Sequence, residues 1–97
     1  MKFPDPIDFV WDSGNRIKNL EKHNVSIFES EQVFFDDNKK FFSDDLHSKV
    51  EKRYKIVGGT NEGRLLFVVF TLRDNKIRVI SARDLNKKEY GLYEKRT

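Results

Sequence analysis

Residues 64–83 read RLLFVVFTLRDNKIRVISAR, and how this stretch folds decides the architecture. Leu65 to Leu72 is an apolar run rich in β-branched and aromatic side chains. Asp74-Asn75 is a turn dipeptide, and Ile77 to Ala82 resumes the strand pattern, so the stretch is expected to be a β-hairpin. With Asp74 and Asn75 as a two-residue loop, Thr71 falls opposite Arg78 and Leu66 opposite Arg83. That register puts arginines on both faces. Phe67, Val69 and Ile80 share one face, and Leu66, Val68, Phe70, Leu72, Ile77 and Val79 share the other. Two apolar faces predict a central pair of strands covered on both sides. A guanidinium keeps its charge and is costly to bury alone, so Arg78 and Arg83 must each reach the rim or meet an anion. That anion is either a protein carboxylate in a structural ion pair or a ligand.

Working outward, Arg53 to Gly58 (RYKIVG) alternates as a strand antiparallel to the one beginning at Arg64, with the Gly-rich residues 58–63 as the turn. No GxxxxGK[ST] follows, so these glycines do not make a phosphate loop. Asp84 is the expected cap of a last helix running to Lys95, with Leu85, Tyr90 and Tyr93 on its buried side. Upstream, Ile7 to Trp11 is a short strand that Pro6 places at an edge. Asp12 caps a helix through His23, with Ile17 and Leu20 inward. Asn24 suits a left-handed terminus, and Ser26 with Glu29 forms a capping box for a helix starting near Ile27. Phe28, Val33 and Phe34 give that helix its apolar side, and Asp36-Asp37-Asn38 ends it. Phe41 and Phe42 make a short strand or cover the core from a loop, and Asp44 to Lys49 is an exposed connection. The sum is a small α+β fold, an antiparallel meander sheet with helices packed on it.

Ninety-seven residues suffice for one domain (1–97), and nine Phe, three Tyr and one Trp supply its core. Cysteine is absent, which excludes disulfides, thiolate nucleophiles and Cys-type zinc sites. No apolar run has the length of a signal peptide or a membrane span, so a cytoplasmic protein is expected. Residues 1–48 carry 6 basic and 10 acidic side chains, whereas residues 49–97 carry 13 and 6. A basic second half built on strands is the footprint of a polyanion ligand, most commonly nucleic acid. No helix pairs a basic face with a preceding helix-turn-helix turn, which argues against a DNA reader.

The two histidines have no HxxxH or HExxH spacing, so no metal is expected. His47 sits in a polar loop. His23 ends a helix, as a dipole-facing cap or as a proton carrier. Paired acids at Asp36-Asp37 and Asp44-Asp45 read as turn residues rather than Mg²⁺ ligands. The residues at hand suit metal-free RNA cleavage, because RNA brings its own 2′-hydroxyl nucleophile and needs only a proton acceptor, a donor and cations. His23, Glu89 and Tyr93 are candidates for moving protons. Arg53, Arg73, Arg78 and Arg83 can hold phosphate bidentately.

Two blocks resemble a known family. Trp11-Asp12 followed by Asn19, Lys22-His23 and Val25 resembles the opening signature of the BrnT toxins. LFVVFTLRDNKIRVISARDLNKKE, with Tyr93 and Glu94 after it, resembles that family's second signature. The resemblance implies a RelE-like α+β fold and the toxin half of a type II toxin-antitoxin pair. It further implies an endoribonuclease that inhibits translation and is silenced by a ribbon-helix-helix (BrnA-like) antitoxin, with a heterotetramer as one form of the complex. Carried over, the matching polar positions are Lys22, His23, Arg53, Arg73, Arg78, Ser81, Arg83, Glu89 and Tyr93. Of these, Lys22, His23, Arg73, Arg78, Arg83, Glu89 and Tyr93 are taken as the catalytic set. Arg53, Ser81, Lys55, Lys76 and Lys18 are taken as RNA contacts. The family's lysine four residues after the tryptophan is replaced by Asn15, and Lys18, one turn on, is the candidate substitute. The alternative is a binding module on the same fold without catalysis.

Overall fold

A computed structural model describes residues 4–12, 14, 18–19, 22–44 and 51–94. Its elements are β1 (Phe9–Val10), α1 (Ile27–Val33), β2 (Lys40–Ser43), β3 (Arg53–Gly59), β4 (Leu65–Arg73) and β5 (Lys76–Asp84). A 3₁₀ turn (Lys87–Glu89) and α2 (Tyr90–Glu94) follow. The strands form one sheet in the order β1-β5-β4-β3-β2, antiparallel except for the edge strand β1, which runs parallel to β5.

The central hairpin forms as its sequence predicts, turning on Asp74 (φ 52°) and Asn75 (φ 61°), and Thr71 pairs with Arg78. The expected register then fails. Phe70 pairs with Val79, but Val69 pairs with Ser81, so Ile80 is an extra residue on β5. Such a bulge flips the facing of everything beyond it. Arg83 therefore stands opposite Phe67, not Leu66. Arg78 and Arg83 share one face instead of dividing between two.

The other face is the core. Ile56, Leu66, Val68, Phe70, Ile77, Val79 and Ala82 are all buried there, against Val25, Val33 and Phe34. Phe70 lies at its centre, with ring centroids of Phe34, Tyr54 and Phe41 at 5.0, 5.5 and 6.3 Å. The opposite face is only partly covered: Phe67, Val69 and Ile80 are half-buried. This corrects the expectation of a hairpin covered on both sides.

The capping box of α1 forms, with the Glu29 N–H donating to Ser26 Oγ (3.1 Å) and the Ser26 N–H to Glu29 Oε1 (3.0 Å). Asn24 takes the left-handed conformation at φ 53°. Phe28 does not join the apolar side; it is 75% exposed. The end of α1 instead packs against Gly58, where an added Cβ would lie 2.8 Å from Val33 Cγ1.

Gly14, Lys18, Asn19, Lys22 and His23 are helical, while Ile17 and Leu20 lie outside the described residues. Buried Asn19 fixes this segment to the edge of β5 by accepting the Ala82 N–H at its Oδ1 (3.1 Å). Two further expectations are corrected. Asp84 ends β5 rather than capping the last helix, because strand pairing continues two residues past Ala82. Asn86 is the cap, in a reciprocal box with Glu89. Tyr90 is exposed. Asp44, expected in an exposed connection, is buried.

Candidate active site

Strand alternation and the bulge together write three rows across the outer face. Val57, Phe67 and Arg83 form one, Lys55, Val69 and Ser81 the next, and Arg53, Thr71 and Arg78 the third. An apolar column from β4 is thus flanked by cations on β3 and β5. Above it opens a groove of about 540 Å³, lined by Phe67, Val69, Ile80 and Leu92, by the cations Arg53, Lys55 and Arg83, and by Ser81, Asp44 and Glu89.

Arg83 is held on two sides. Its two terminal nitrogens donate to the two oxygens of Glu89, each at 2.8 Å. Its guanidinium carbon lies 4.4 Å from the centroid of the Phe67 ring, a cation–π distance. The fork of hydrogen bonds from Arg83 holds the Glu89 carboxyl below its ordinary range, and Glu89 in turn pushes Arg83 up. Glu89 is also the acceptor in the Asn86 box, so the 3₁₀ turn and the arginine fix one another. Lys55 Nζ lies 3.7 Å from Asp44 Oδ1 and 6.0 Å from the Phe67 centroid.

The remaining expected residues lie elsewhere. Arg78 shares the outer face and donates to Asp12 (2.8 Å). Arg73 meets Glu51 at 3.3 Å and Lys76 meets Asp8 at 3.8 Å, both near the hairpin tip. None of these three lines the groove. Lys18 and Lys22 are exposed on the helical segment, and His23 is half-buried at its end. Tyr93 donates its hydroxyl to Asp36 Oδ2 (2.6 Å), which also accepts the Gly59 N–H (2.8 Å). Burial and the Asp36 carboxylate both push the Tyr93 phenol up. Glu89 is thus brought to Arg83, whereas His23 and Tyr93 are not. Asn15 lies outside the described residues.

Several contributors escaped the sequence reading. Phe67 and Ile80 read as residues of a covered face, Leu92 belongs to no motif, and Asp44 looks like loop. Arg64 was also missed. Its guanidinium bonds both Asp84 oxygens (2.6 and 3.0 Å), Glu29 Oε2 (2.9 Å) and the carbonyls of Asn24 (2.8 Å) and His23 (3.1 Å). It ties the helical segment and the start of α1 to β5. Its one sequence signal is an arginine just before a strand with an aspartate at the end of the partner strand, legible only with the true register.

Comparison with known proteins bears on the family and the fold. A family model described as the ribonuclease toxin BrnT of a type II toxin-antitoxin system matches residues 11–89. The crystal structure of the Brucella abortus ribonuclease toxin BrnT superposes with a TM-score of 0.62 at 23% identity, covering 84% of this chain and 99% of that one. The likeness supports the α+β class. No curated protein matches.

Proposed function

We propose, since this chain belongs to the BrnT family of ribonuclease toxins from type II toxin-antitoxin systems, that it is a metal-independent endoribonuclease whose cleavage of RNA stops translation. The observation that carries this reading is the convergence of Arg53, Lys55 and Arg83 on one open groove with an apolar floor. Phosphate oxygens meet guanidinium and ammonium groups there, and the same cations stabilise the extra negative charge of a pentavalent phosphorane. Arg73, Lys76 and Arg78 extend the positive surface toward the hairpin tip, where their ion pairs with Glu51, Asp8 and Asp12 leave them partly exposed. Lys18 and Lys22 add exposed charge from the helical segment. The natural partner is an antitoxin of the ribbon-helix-helix, BrnA-like kind, in a heterotetramer. Covering the groove would silence the toxin by charge and by volume. The reading places the reaction in the cytoplasm; among the described residues no helix is long and apolar enough to cross a membrane.

Purified protein incubated with end-labelled RNA in EDTA tests it. Discrete fragments are expected, together with growth arrest when the chain is expressed without an antitoxin. A second reading, a binding module without catalysis, is favoured by one observation: Arg73, Arg78 and Arg83 each already meet a carboxylate. That module would shift RNA in a gel in a salt-dependent way and leave it intact.

A further inference from the structure

Arg83 lines the groove yet already meets Glu89, so the donors of its guanidinium decide whether it can hold anything else. A guanidinium carries five N–H groups in a planar fork. Nη1 donates to the Asp84 carbonyl (3.1 Å) and to Glu89 Oε1 (2.8 Å), and Nη2 donates to Glu89 Oε2 (2.8 Å). These bonds take both hydrogens of Nη1 and one of Nη2. The Nε hydrogen and the second Nη2 hydrogen are left, and among the described residues neither has a partner. The two project side by side from one edge of the fork, the arrangement that matches two oxygens of a carboxylate or phosphate. Arg64 supplies the contrast. It holds the two oxygens of Asp84 from that same edge, Nε at 2.6 Å and Nη2 at 3.0 Å, and its other three donors reach Glu29, Asn24 and His23. Arg64 is fully engaged, whereas Arg83 keeps one edge open.

That edge is also held still. The Phe67 ring centroid lies 4.4 Å from the guanidinium carbon. Glu89 is itself fixed, because its Oε1 accepts the Asn86 N–H (3.0 Å) while its own N–H donates to Asn86 Oδ1 (3.0 Å). The Asn86-Lys87-Lys88-Glu89 turn directly after β5 thus returns a carboxylate to an arginine six residues upstream. Lys55 Nζ stands 6.0 Å from the same ring centroid and brings a second cation to this part of the groove. Resting on the ribonuclease reading, we propose that the Nε and Nη2 edge of Arg83 seats the scissile phosphate by its two non-bridging oxygens, and that Glu89 is a positioning residue that aims this edge. Phosphate then binds beside Glu89 without displacing it, so the ion pair and the ligand coexist. The contact strengthens as the non-bridging oxygens gain charge in the phosphorane. Glu89 moves no proton in this scheme, since both its oxygens stay engaged by Arg83 and a carboxylate so held is a poor proton acceptor.

The test uses the full wild-type chain and uncleavable 2′-O-methyl single-stranded RNA, with the arginine Nε–H signals followed by NMR. The Arg83 signal, assigned by its loss in Arg83→Lys, should move on titration with RNA, while that of Arg64 stays in place. RNA that binds and leaves the Arg83 signal unmoved overturns the seat. Single-turnover cleavage of ordinary RNA then reads the role of Glu89. Glu89→Gln should slow cleavage by about 10-fold, the scale of a misaimed group, and should add nothing in an Arg83→Ala background, because a residue acting through Arg83 has no effect once Arg83 is gone. Equal slowing in both backgrounds overturns the positioning role and returns Glu89 to proton transfer. Should Glu89→Gln fail to fold, the wild-type titration decides the proposal. Wild-type protein that shows the Arg83 shift and cleaves no RNA keeps the seat and sinks the ribonuclease reading. Failure to bind RNA at all overturns both.

Discussion

Arg83 pairs across the sheet with Phe67, and its guanidinium rests 4.4 Å from the centre of that ring while Glu89 grips its other side. The contact places a permanent positive charge over an apolar floor at the edge of the groove. Arg83→Ala should therefore lower RNA cleavage by about 10²-fold, the scale of losing one group that meets developing charge. Arg83→Lys should not restore it, because an ammonium cannot fill the two-pronged contact with Glu89 or lie flat on Phe67. Relief of growth arrest and fragment yield are the measurements, with circular dichroism to show an intact fold. Full activity in Arg83→Lys would mean that only the charge matters.

The hairpin, its turn and the Ser26–Glu29 box were legible because each rests on local chemistry: strand-forming runs, two residues that tolerate positive φ, and a reciprocal cap. The groove was not legible. The bulge at Ile80 is carried by no glycine or turn residue, and one inserted residue exchanges the faces of Ser81 and Arg83. Asp84 and Asn86 are both good capping residues two positions apart. The pairing of β5 with β4 as far as Asp84, and the Leu85 N–H bonded to the Leu65 carbonyl beyond it, decided between them.

Gly58 lets α1 lie directly against β3. A Cβ there would meet Val33 Cγ1 at 2.8 Å and the Val33 carbonyl oxygen at 3.1 Å, and the backbone atom cannot swing aside. Gly58→Ala should cost about 1–3 kcal/mol, the usual penalty of overpacking a filled core. Urea unfolding measures it, and a shift of the midpoint toward higher urea would contradict the close approach.

Tyr93 and Asp36 join α2 to the turn after α1. Tyr93→Phe should cost about 1 kcal/mol for the lost hydrogen bond and leave RNA cleavage at the wild-type rate, since the hydroxyl does not line the groove. A large fall in cleavage by a stably folded Tyr93→Phe protein would return the phenol to the proton-transfer step.

The ion pairs set how stability varies with acidity. Arg83 lowers the Glu89 carboxyl, and Arg64 lowers that of Asp84. Burial alone would raise Asp36, but hydrogen bonds from Tyr93, Gly59 and Asn38 outweigh it and lower that group too. A carboxyl lowered in the folded state stabilises the fold above its unfolded value and loses that contribution as pH falls through the folded one. Stability should thus hold from neutrality down to the ordinary values of 4.5 for glutamate and 3.8 for aspartate, then decline. At the other end the raised Tyr93 phenol favours the fold below its ordinary value of 10.0, a contribution lost at higher pH. Urea midpoints measured from pH 3 to 11 check both limbs, and a flat profile below pH 4 would contradict the first.

Arg64 spends all its donors inside the protein, on Asp84, Glu29 and the carbonyls of His23 and Asn24. Its role is to hold the end of the helical segment against the sheet. Arg64→Ala leaves two carbonyls and two carboxylates without this partner, and with a quarter of the side chain exposed, solvent repairs part of the loss. A cost of about 2 kcal/mol is expected, within the range for hydrogen bonds to charged groups. Arg78→Ala is the control. Its pair with Asp12 is a single contact to a carboxylate that is 44% exposed, and its loss should cost less than about 1 kcal/mol. Hydrogen exchange adds a spatial readout: in Arg64→Ala, amides of Lys22 to Val25 should lose protection while those of β4 keep theirs, because the core face lies beyond the clamp. Equal destabilisation by the two variants, or uniform loss of protection, would show that Arg64 acts through net charge and not as a local tie.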